Sequence, residues 1–470
     1  MRIYNSLSRK VEGFEPIHDK KVGIYTCGMT VYDYAHIGHG RKYINDDVLR
    51  RALSYLGYTV EHVQNVTDVG HLVSDADEGE DKLEKGARKT GKTVWEVAKF
   101  YEKHFYDSMD SLNILRPNII AKATDNIKEQ IELIEKLFKN GYAYDTKEAV
   151  YFDVGKFKGY EELFGRQALE EKKTAVRKEV KSDERKRNSA DFALWFKRVG
   201  RFSDHTMHWD SPWGDGFPGW HVECSAMSMK YLGEQFDIHT GGEDHIQVHH
   251  PNEIAQSEGA TGKSPFVKYW VHATFLTVDG QKMSKSLGNF YTIEDVVKKG
   301  YDPIALRYLF LTAHYRKRIN FTWEALEGAQ QALNRLRSFV TGYKKEGDER
   351  RTVLSGEKLE KVNKFRGEFE SYIADDLKIP QAVSVLWKVV KSSIPTPDKL
   401  DLVYSFDEVL GLNLKNAEEQ KLSSEVAKLV EERDRLRDVG EYDKADAIRD
   451  KLDKEFGYKV QDRPAHENSS

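Results

Sequence analysis

At roughly 150 residues per domain, 470 residues make about three domains, too many for one core. With 73 Lys and Arg against 77 Asp and Glu the net charge is −4, and no apolar run nears the roughly 18 residues a membrane-spanning helix needs. Ordinary Gly (34) and Pro (11) exclude a collagen-like chain, and eight Trp, 24 Tyr and 22 Phe exclude disorder throughout.

In chain order, residues 1–14 carry no apolar run of the kind that opens a signal peptide, so none is expected. Residues 22–27 predict a short buried strand, followed by a Gly-rich loop. Ile44, Val48, Ala52, Leu53 and Leu56 recur at helical spacing, and Gly57 suits the position that ends such a helix. Residues 59–66 read as a second strand. Strand, loop, helix and strand within about 45 residues form a βαβ unit, so the fold class expected is α/β with a doubly wound parallel sheet of Rossmann type. The unusually charged stretch 74–92 reads as a mobile loop, and 126–140 as an amphipathic helix with Ile127, Ile131, Ile134 and Leu137 on one face. Residues 165–188 form a basic, polar insertion. Strands and helices alternate again over 217–278, and from about 320 the pattern is helical. The chain closes on a helix pair with stripes Val426, Leu429, Val430, Leu436 and Ala445, Ile448, Leu452, Phe456 around Gly440.

Two short strings carry chemistry. His36-Ile37-Gly38-His39 falls at the start of the first helix, where free N–H groups and the macrodipole attract phosphate. Gly38 permits close approach, and the histidines can donate to phosphate oxygens. Taken alone, four such residues are better read as two surface histidines on a loop. Lys282-Met283-Ser284-Lys285-Ser286 sets two lysines in a small-residue loop, suited to charge growing on a departing pyrophosphate. Taken alone, that is a solvated basic loop.

Two cysteines cannot build a disulfide framework, and a reducing, cytoplasmic setting is the simplest expectation. Both, Cys27 and Cys224, stand beside the nucleotide motifs. His249 and Glu253 are spaced i, i+4, so on a helix they share a face, and Pro251 fits its first turn. Thiolate, imidazole and carboxylate are zinc donors. The residues alone leave two readings open, a metal site or small buried thiols and a surface His–Glu pair.

Together, the strings HIGH and KMSKS, about 245 residues apart, resemble the class I aminoacyl-tRNA synthetases. YTCGMTVYD (25–33) with 36–41, GWHVECSAM (219–227), HHPNE (249–253) and 282–290 resemble, more narrowly, the cysteinyl-tRNA synthetase family, over nearly the whole chain, about 1–462. The resemblance implies a cysteine–tRNA ligase that uses ATP, with Mg2+, to activate L-cysteine and transfers it to tRNA(Cys). It implies catalytic His36, His39, Lys282 and Lys285. ATP would be held by His36, Gly38, His39, Gly241, Gly242, Asp244 and Lys285. Thr67 and Trp220 would line the amino-acid pocket with His239 close by. One zinc ion per chain would be held by Cys27, Cys224, His249 and Glu253, the substrate sulfur making a fifth ligand. Arg437, Asp446 and Asp462 would contact anticodon bases. The family's aromatic–basic tail has no counterpart in 463–470, which implies weaker anticodon contacts. After Asn65-Val66-Thr67-Asp68 the chain is also less acidic than many relatives.

The expected organisation is a catalytic domain in two halves (1–118 and 206–275), a connective insertion (119–205), a KMSKS-bearing region contacting the tRNA stem (276–318), a helical bundle (319–415) and an anticodon-binding domain (416–470). A cytoplasmic monomer without membrane contact is expected. The nearest rival is a ligase that joins cysteine to an amino-sugar acceptor and lacks the terminal helices. A catalytically idle RNA-binding or zinc-sensing descendant is the third reading.

Overall fold

The computed structural model describes residues 1–70, 81–165, 186–345, 355–418 and 424–456. The chain divides into two units, Met1–Asn416 and Ala417–Ser470.

The first unit is built on a five-stranded sheet in the order Val267–Ala273, Phe236–Gly242, Lys21–Thr26, Thr59–Val66, Ile119–Lys122. Every neighbouring pair in it is parallel. Parallel strands need crossovers, and the helix Ile37–Tyr55 supplies the first. Strand order runs outward in both directions from the pair Lys21–Thr26 and Phe236–Gly242. A crevice at the carboxyl ends of those two strands is therefore where a ligand binds in an open α/β sheet. The expected strands, helix and left-handed Gly57 (φ 88) are all present.

Between Ile119–Lys122 and the helix Trp220–Leu232 the chain builds a second, antiparallel sheet of Ala143–Asp145, Ala149–Phe152, Phe192–Lys197 and Gly216–Pro218. The 165–188 insertion falls almost wholly outside the described residues. Of the expected mobile loop 74–92, residues 81–92 are described, and Lys82–Thr90 is a helix instead. Its termini account for the difference. The Asp81 carboxylate accepts from Leu83 N and Glu84 N, and Gly91 closes the far end in a left-handed turn. Few apolar residues were needed, so periodicity gave little sign of it.

A small three-stranded sheet, Leu276–Val278, Gln281–Lys282 and Ile319–Phe321, carries the second motif. The turn Asp279-Gly280, both at positive φ (50 and 77), folds the first two strands into a tight hairpin that ends on Lys282. Two helices, Ile293–Lys298 and Pro303–Leu311, lie between the second and third strands of this sheet, and four more follow the third, Trp323–Lys345, Gly356–Ile373, Ile379–Val390 and Thr396–Leu410. In the second unit, Ser424–Asp438 and Tyr442–Phe456 form an antiparallel-type pair around Gly440 (φ 80), with Leu436, Ala445 and Leu452 buried.

Candidate metal centre and nucleotide site

Three elements converge at the carboxyl edge of the sheet. Cys27 follows the strand Lys21–Thr26 directly. Cys224 lies one turn into the helix Trp220–Leu232, and His249 and Glu253 share a face of the helix His249–Thr261. Their donor atoms all lie within 4.8 Å of one another, and all four residues are buried. Cys27 Sγ is 3.7 Å from Cys224 Sγ and 3.3 Å from His249 Nε2. Glu253 Oε1 is 3.1 Å from His249 Nε2, yet accepts no hydrogen bond although fully buried.

A buried carboxylate oxygen without a donor costs several kcal/mol unless a cation meets it. The donor set of two sulfurs, one nitrogen and one oxygen therefore fits a metal ion. The electrostatics agree. The Cys27 thiol is held well below its ordinary range, first by the hydrogen bond from Cys224 and then, against burial, by His249. Burial pushes the Cys224 thiol up. Burial also works against charge on His249, but Cys27 and Glu253 overcome it and raise its affinity for a proton.

The second carboxylate oxygen, Glu253 Oε2, is 2.8 Å from His239 Nε2. His239 is thus a partner of Glu253, closer to the metal cluster than the sequence alone indicates. On the other side His221 Nδ1 lies 2.7 Å from His249 Nδ1. Such partners fix ring orientation around a metal. His245 and His250 also approach Cys27, and His250 Nδ1 is 2.7 Å from His272 Nε2. His245 and His272 lie outside every motif of the sequence, and His250 stands inside HHPNE without an expected role. The dipeptide His249-His250, with His245 one turn earlier, was the available signal. Trp220 stands over the cluster, its ring 5.3 Å from that of His249. Thr67, buried, donates to Glu223 Oε2 at 3.0 Å and accepts from Asn65 Nδ2 at 3.1 Å.

His36 is the N-cap of the helix Ile37–Tyr55. Its Nδ1 accepts from His39 N at 3.2 Å, while His39 Nδ1 accepts from His36 N at 3.3 Å. The two rings stack at 3.6 Å. Burial pushes the His36 imidazole down to about 4 and the His39 imidazole well below its usual value, so both are neutral at pH 7. With Nδ1 accepting a backbone N–H, the ring proton must sit on Nε2. Each neutral ring therefore carries one N–H donor, at Nε2, with no positive charge on it. A side chain at Gly38 would meet His36 Cε1 at 2.9 Å, so only glycine leaves this stack undisturbed.

The second motif lies against the first. Met283 Cε reaches within 3.5 Å of the position a Cβ on Gly38 would take. Ile37 N donates to Tyr291 O and Ile293 N to Ala35 O, so backbone pairing ties the two loops together. The Lys285 ammonium pairs with the Asp33 carboxylate and stands 4.9 Å over the Phe290 ring. Asp33 is a further site residue that motif reading passed over, although it lies inside the YTCGMTVYD string. Lys282, at the hairpin end, is exposed.

Gly241 and Gly242 close the strand Phe236–Gly242, and Asp244 is the second residue of the turn Glu243–Ile246 after it, with an exposed carboxylate. A Cβ on Gly241 would lie 2.6 Å from His250 Cε1. Of the expected anticodon residues, Asp446 pairs with Arg449 at 2.7 Å on the last helix, and Arg437 is half-buried on the helix before. Asp462 and the tail 463–470 lie outside the described residues.

The fold is one known from class I aminoacyl-tRNA synthetases. Mycobacterium tuberculosis methionyl-tRNA synthetase in complex with methionyl-adenylate superposes with a TM-score of 0.56 at 15% identity, covering 83% of this chain and 90% of that one. The LeuRS–tRNA–LeuAMS ternary complex of Agrobacterium radiobacter K84 gives 0.62 at 12% identity, covering 86% and 85%. Sequence narrows the assignment. Residues 13–331 match the family described as tRNA synthetases class I (C) catalytic domain. The Cysteine–tRNA ligase of Treponema denticola is 45% identical over 476 residues, 96% of each chain. Cysteine–tRNA ligase 1 of Burkholderia lata is 46% identical over 474, 99% of this chain and 95% of that one. The chain belongs to the cysteinyl-tRNA synthetase family of class I.

Proposed function

We propose that this protein is a cysteine–tRNA ligase whose buried Cys27–Cys224–His249–Glu253 cluster holds one zinc ion that selects the substrate thiol. The observation that carries the reading is the meeting of these four side chains at the sheet's carboxyl edge, in a chain whose HIGH and KMSKS loops are tied to each other by backbone pairing. Cysteine and serine differ by sulfur for oxygen, and pocket shape alone separates such near-isosteres by about 10²-fold. Zinc, when bound, supplies the missing discrimination through its affinity for thiolate.

The chain's own groups do the rest. The Nε2–H groups of His36 and His39 donate to ATP phosphate oxygens, aided by the helix N-terminus. Gly241, Gly242 and Asp244 border the nucleoside, while Thr67 and Trp220 border the amino acid. A cysteine carboxylate oxygen attacks the α-phosphorus, and the bond to pyrophosphate breaks. Lys282 and Lys285 meet the charge that grows on the leaving group, with Mg2+ accompanying ATP. A ribose hydroxyl at the tRNA 3′ end then attacks the cysteinyl carbonyl and AMP leaves. Arg437, Asp446 and Asp462 contribute to anticodon contacts. The working form is a cytoplasmic monomer, and among the described residues no helix is long and apolar enough to cross a membrane.

The rival amino-sugar ligase is disfavoured by the helix pair Ser424–Asp438 and Tyr442–Phe456. The test is ATP–pyrophosphate exchange with cysteine and with serine, then charging of total tRNA against amino-sugar acceptors, with metal measured on the same sample. Exchange dependent on cysteine and transfer to tRNA are expected. Exchange at background level would revive the idle-protein reading, and transfer to an amino sugar alone would favour the rival.

A further inference from the structure

The helix Val94–Ser111 buries Val94, Val97, Ala98, Phe105, Tyr106 and Met109 against the first unit. That apolar face satisfies its packing, yet three more aromatic rings, Phe100, Tyr101 and His104, lie off it and are exposed or half-buried. They gather around Tyr34. The Tyr34 ring is 6.3 Å from Phe100, 5.2 Å from Tyr101 and 5.2 Å from His104, at interplanar angles of 77°, 82° and 80°. Phe100 and Tyr101 meet at 82°. In each of these T-shaped pairs one ring presents its edge and keeps its two faces out of that contact, while Phe100 and His104 meet at 4.4 Å and 58°. Phe100 remains 36% exposed, so part of this ring is open to solvent.

Two further facts define what would lie there. Lys92 Nζ stands 4.7 Å from the Phe100 ring centroid, putting a cation beside the aromatic faces. Tyr34 adjoins Asp33, the partner of Lys285, and lies two residues before His36. The cluster is therefore continuous with the mouth of the catalytic crevice. Aromatic faces with interleaved cations are how proteins hold unpaired nucleotides irrespective of base.

We propose that Tyr34, Phe100, Tyr101 and His104 form a stacking platform for the unpaired nucleotides at the 3′ end of the tRNA, with Lys92 beside their phosphates. The inference rests on the function proposed above and adds to it where the acceptor end is received. Phe100 is the residue to test, because its exposure lets a substitution leave the fold intact.

In the full-length enzyme, Phe100→Ala should leave cysteine-dependent ATP–pyrophosphate exchange within about twofold of wild type and lower kcat/KM for tRNA charging about tenfold or more. Phe100→Trp should restore charging. Removing the unpaired 3′ nucleotides from the tRNA should weaken binding to the wild type by a similar factor and to Phe100→Ala hardly at all. Unchanged charging by Phe100→Ala, as for a surface that serves a protein partner, overturns the platform. So does a parallel fall in exchange, or an equal truncation penalty in both proteins. A wild-type enzyme that activates cysteine but charges no tRNA removes the underlying function and the platform with it, a result distinct from the other three.

Discussion

Cys27 Sγ and Cys224 Sγ lie 3.7 Å apart although 197 residues separate them in the chain. The distance is far beyond the roughly 2.05 Å of a disulfide bond, and both thiols are free. Two sulfurs held this way, with an imidazole and a carboxylate oxygen around them, are spaced to share a third atom.

That spacing makes the two cysteines unequal to serines. Cys224→Ser should lower the metal retained after dialysis, read by plasma emission spectrometry. It should also reduce the preference for cysteine over serine toward the about 10²-fold that pocket shape alone provides. Chelation of the wild type should do the same, and added Zn2+ should reverse it. Full metal content and undiminished selectivity in Cys224→Ser would show the cluster to be incidental.

Lys285 is held at the HIGH loop by Asp33 while its side chain stays 63% exposed. It is placed to leave the carboxylate for a more strongly charged partner. Lys285→Ala should slow adenylate formation by about 10² to 10³-fold, the range typical of a lost transition-state donor. Cysteine affinity by calorimetry should change little, because Lys285 contacts none of the four cluster residues. Asp33→Asn removes the ground-state competitor and should cost far less. Equal losses in both variants would mean the pair is structural.

The parallel sheet and the two motifs were legible because they depend on local rules. Apolar runs bounded by glycine mark the strands, and HIGH needs only a strand before it and a helix after it. That Cys27, Cys224, His249 and Glu253 meet was legible only through family resemblance, since nothing in spacing brings Cys224 to Cys27. His239 illustrates what local reading leaves out. Its place beside Glu253 depends on how the helix His249–Thr261 folds back against the strand Phe236–Gly242, a strand-to-helix contact that no local spacing rule gives. Lys82–Thr90 failed for the opposite reason: capping by Asp81 and Gly91 made a helix where the charge pattern offered no stripe.

His62 supplies a prediction in pH. It is buried on the strand Thr59–Val66, with Nε2 2.9 Å from Thr26 Oγ1, and burial, helped by nearby Arg50 and Lys42, pushes it down to about 3. The unfolded imidazole takes up a proton near 6.5, which the native form refuses until about pH 3. Between those values the unfolded state binds more protons, so stability falls as the pH is lowered through this window. The His36 imidazole, down to about 4, acts in the same direction. Denaturant midpoints should be flat above pH 7 and fall steadily toward pH 4, and His62→Gln should make that fall shallower. An identical slope in the variant would remove His62 from the account.

Arg307 joins the HIGH helix to the helical bundle, and its loss is the strongest stability prediction. The side chain is fully buried, with Nη2 2.6 Å from Asp47 Oδ2 on the helix Ile37–Tyr55. Nε donates to Leu410 O at 2.7 Å, and Nη1 donates to Leu112 O and Asn113 O, both at 3.1 Å. Burial works to raise the Asp47 carboxyl, but Arg307 and Arg51 overcome it and keep it ionised. Arg307→Met therefore leaves a buried carboxylate short of its main partner and takes a donor from three carbonyls, of which Asn113 O keeps Arg51 Nη2 at 2.8 Å. Breaking one side of such a pair costs about 3–5 kcal/mol. Asp47→Asn should cost less, because the amide still accepts from Arg307 and Arg51 remains near. Combined with Arg307→Met it should recover part of the loss, since the uncompensated charge is then gone. Urea unfolding of the two single variants and the double variant measures this coupling, and strictly additive losses would show that the charge pair contributes nothing beyond packing.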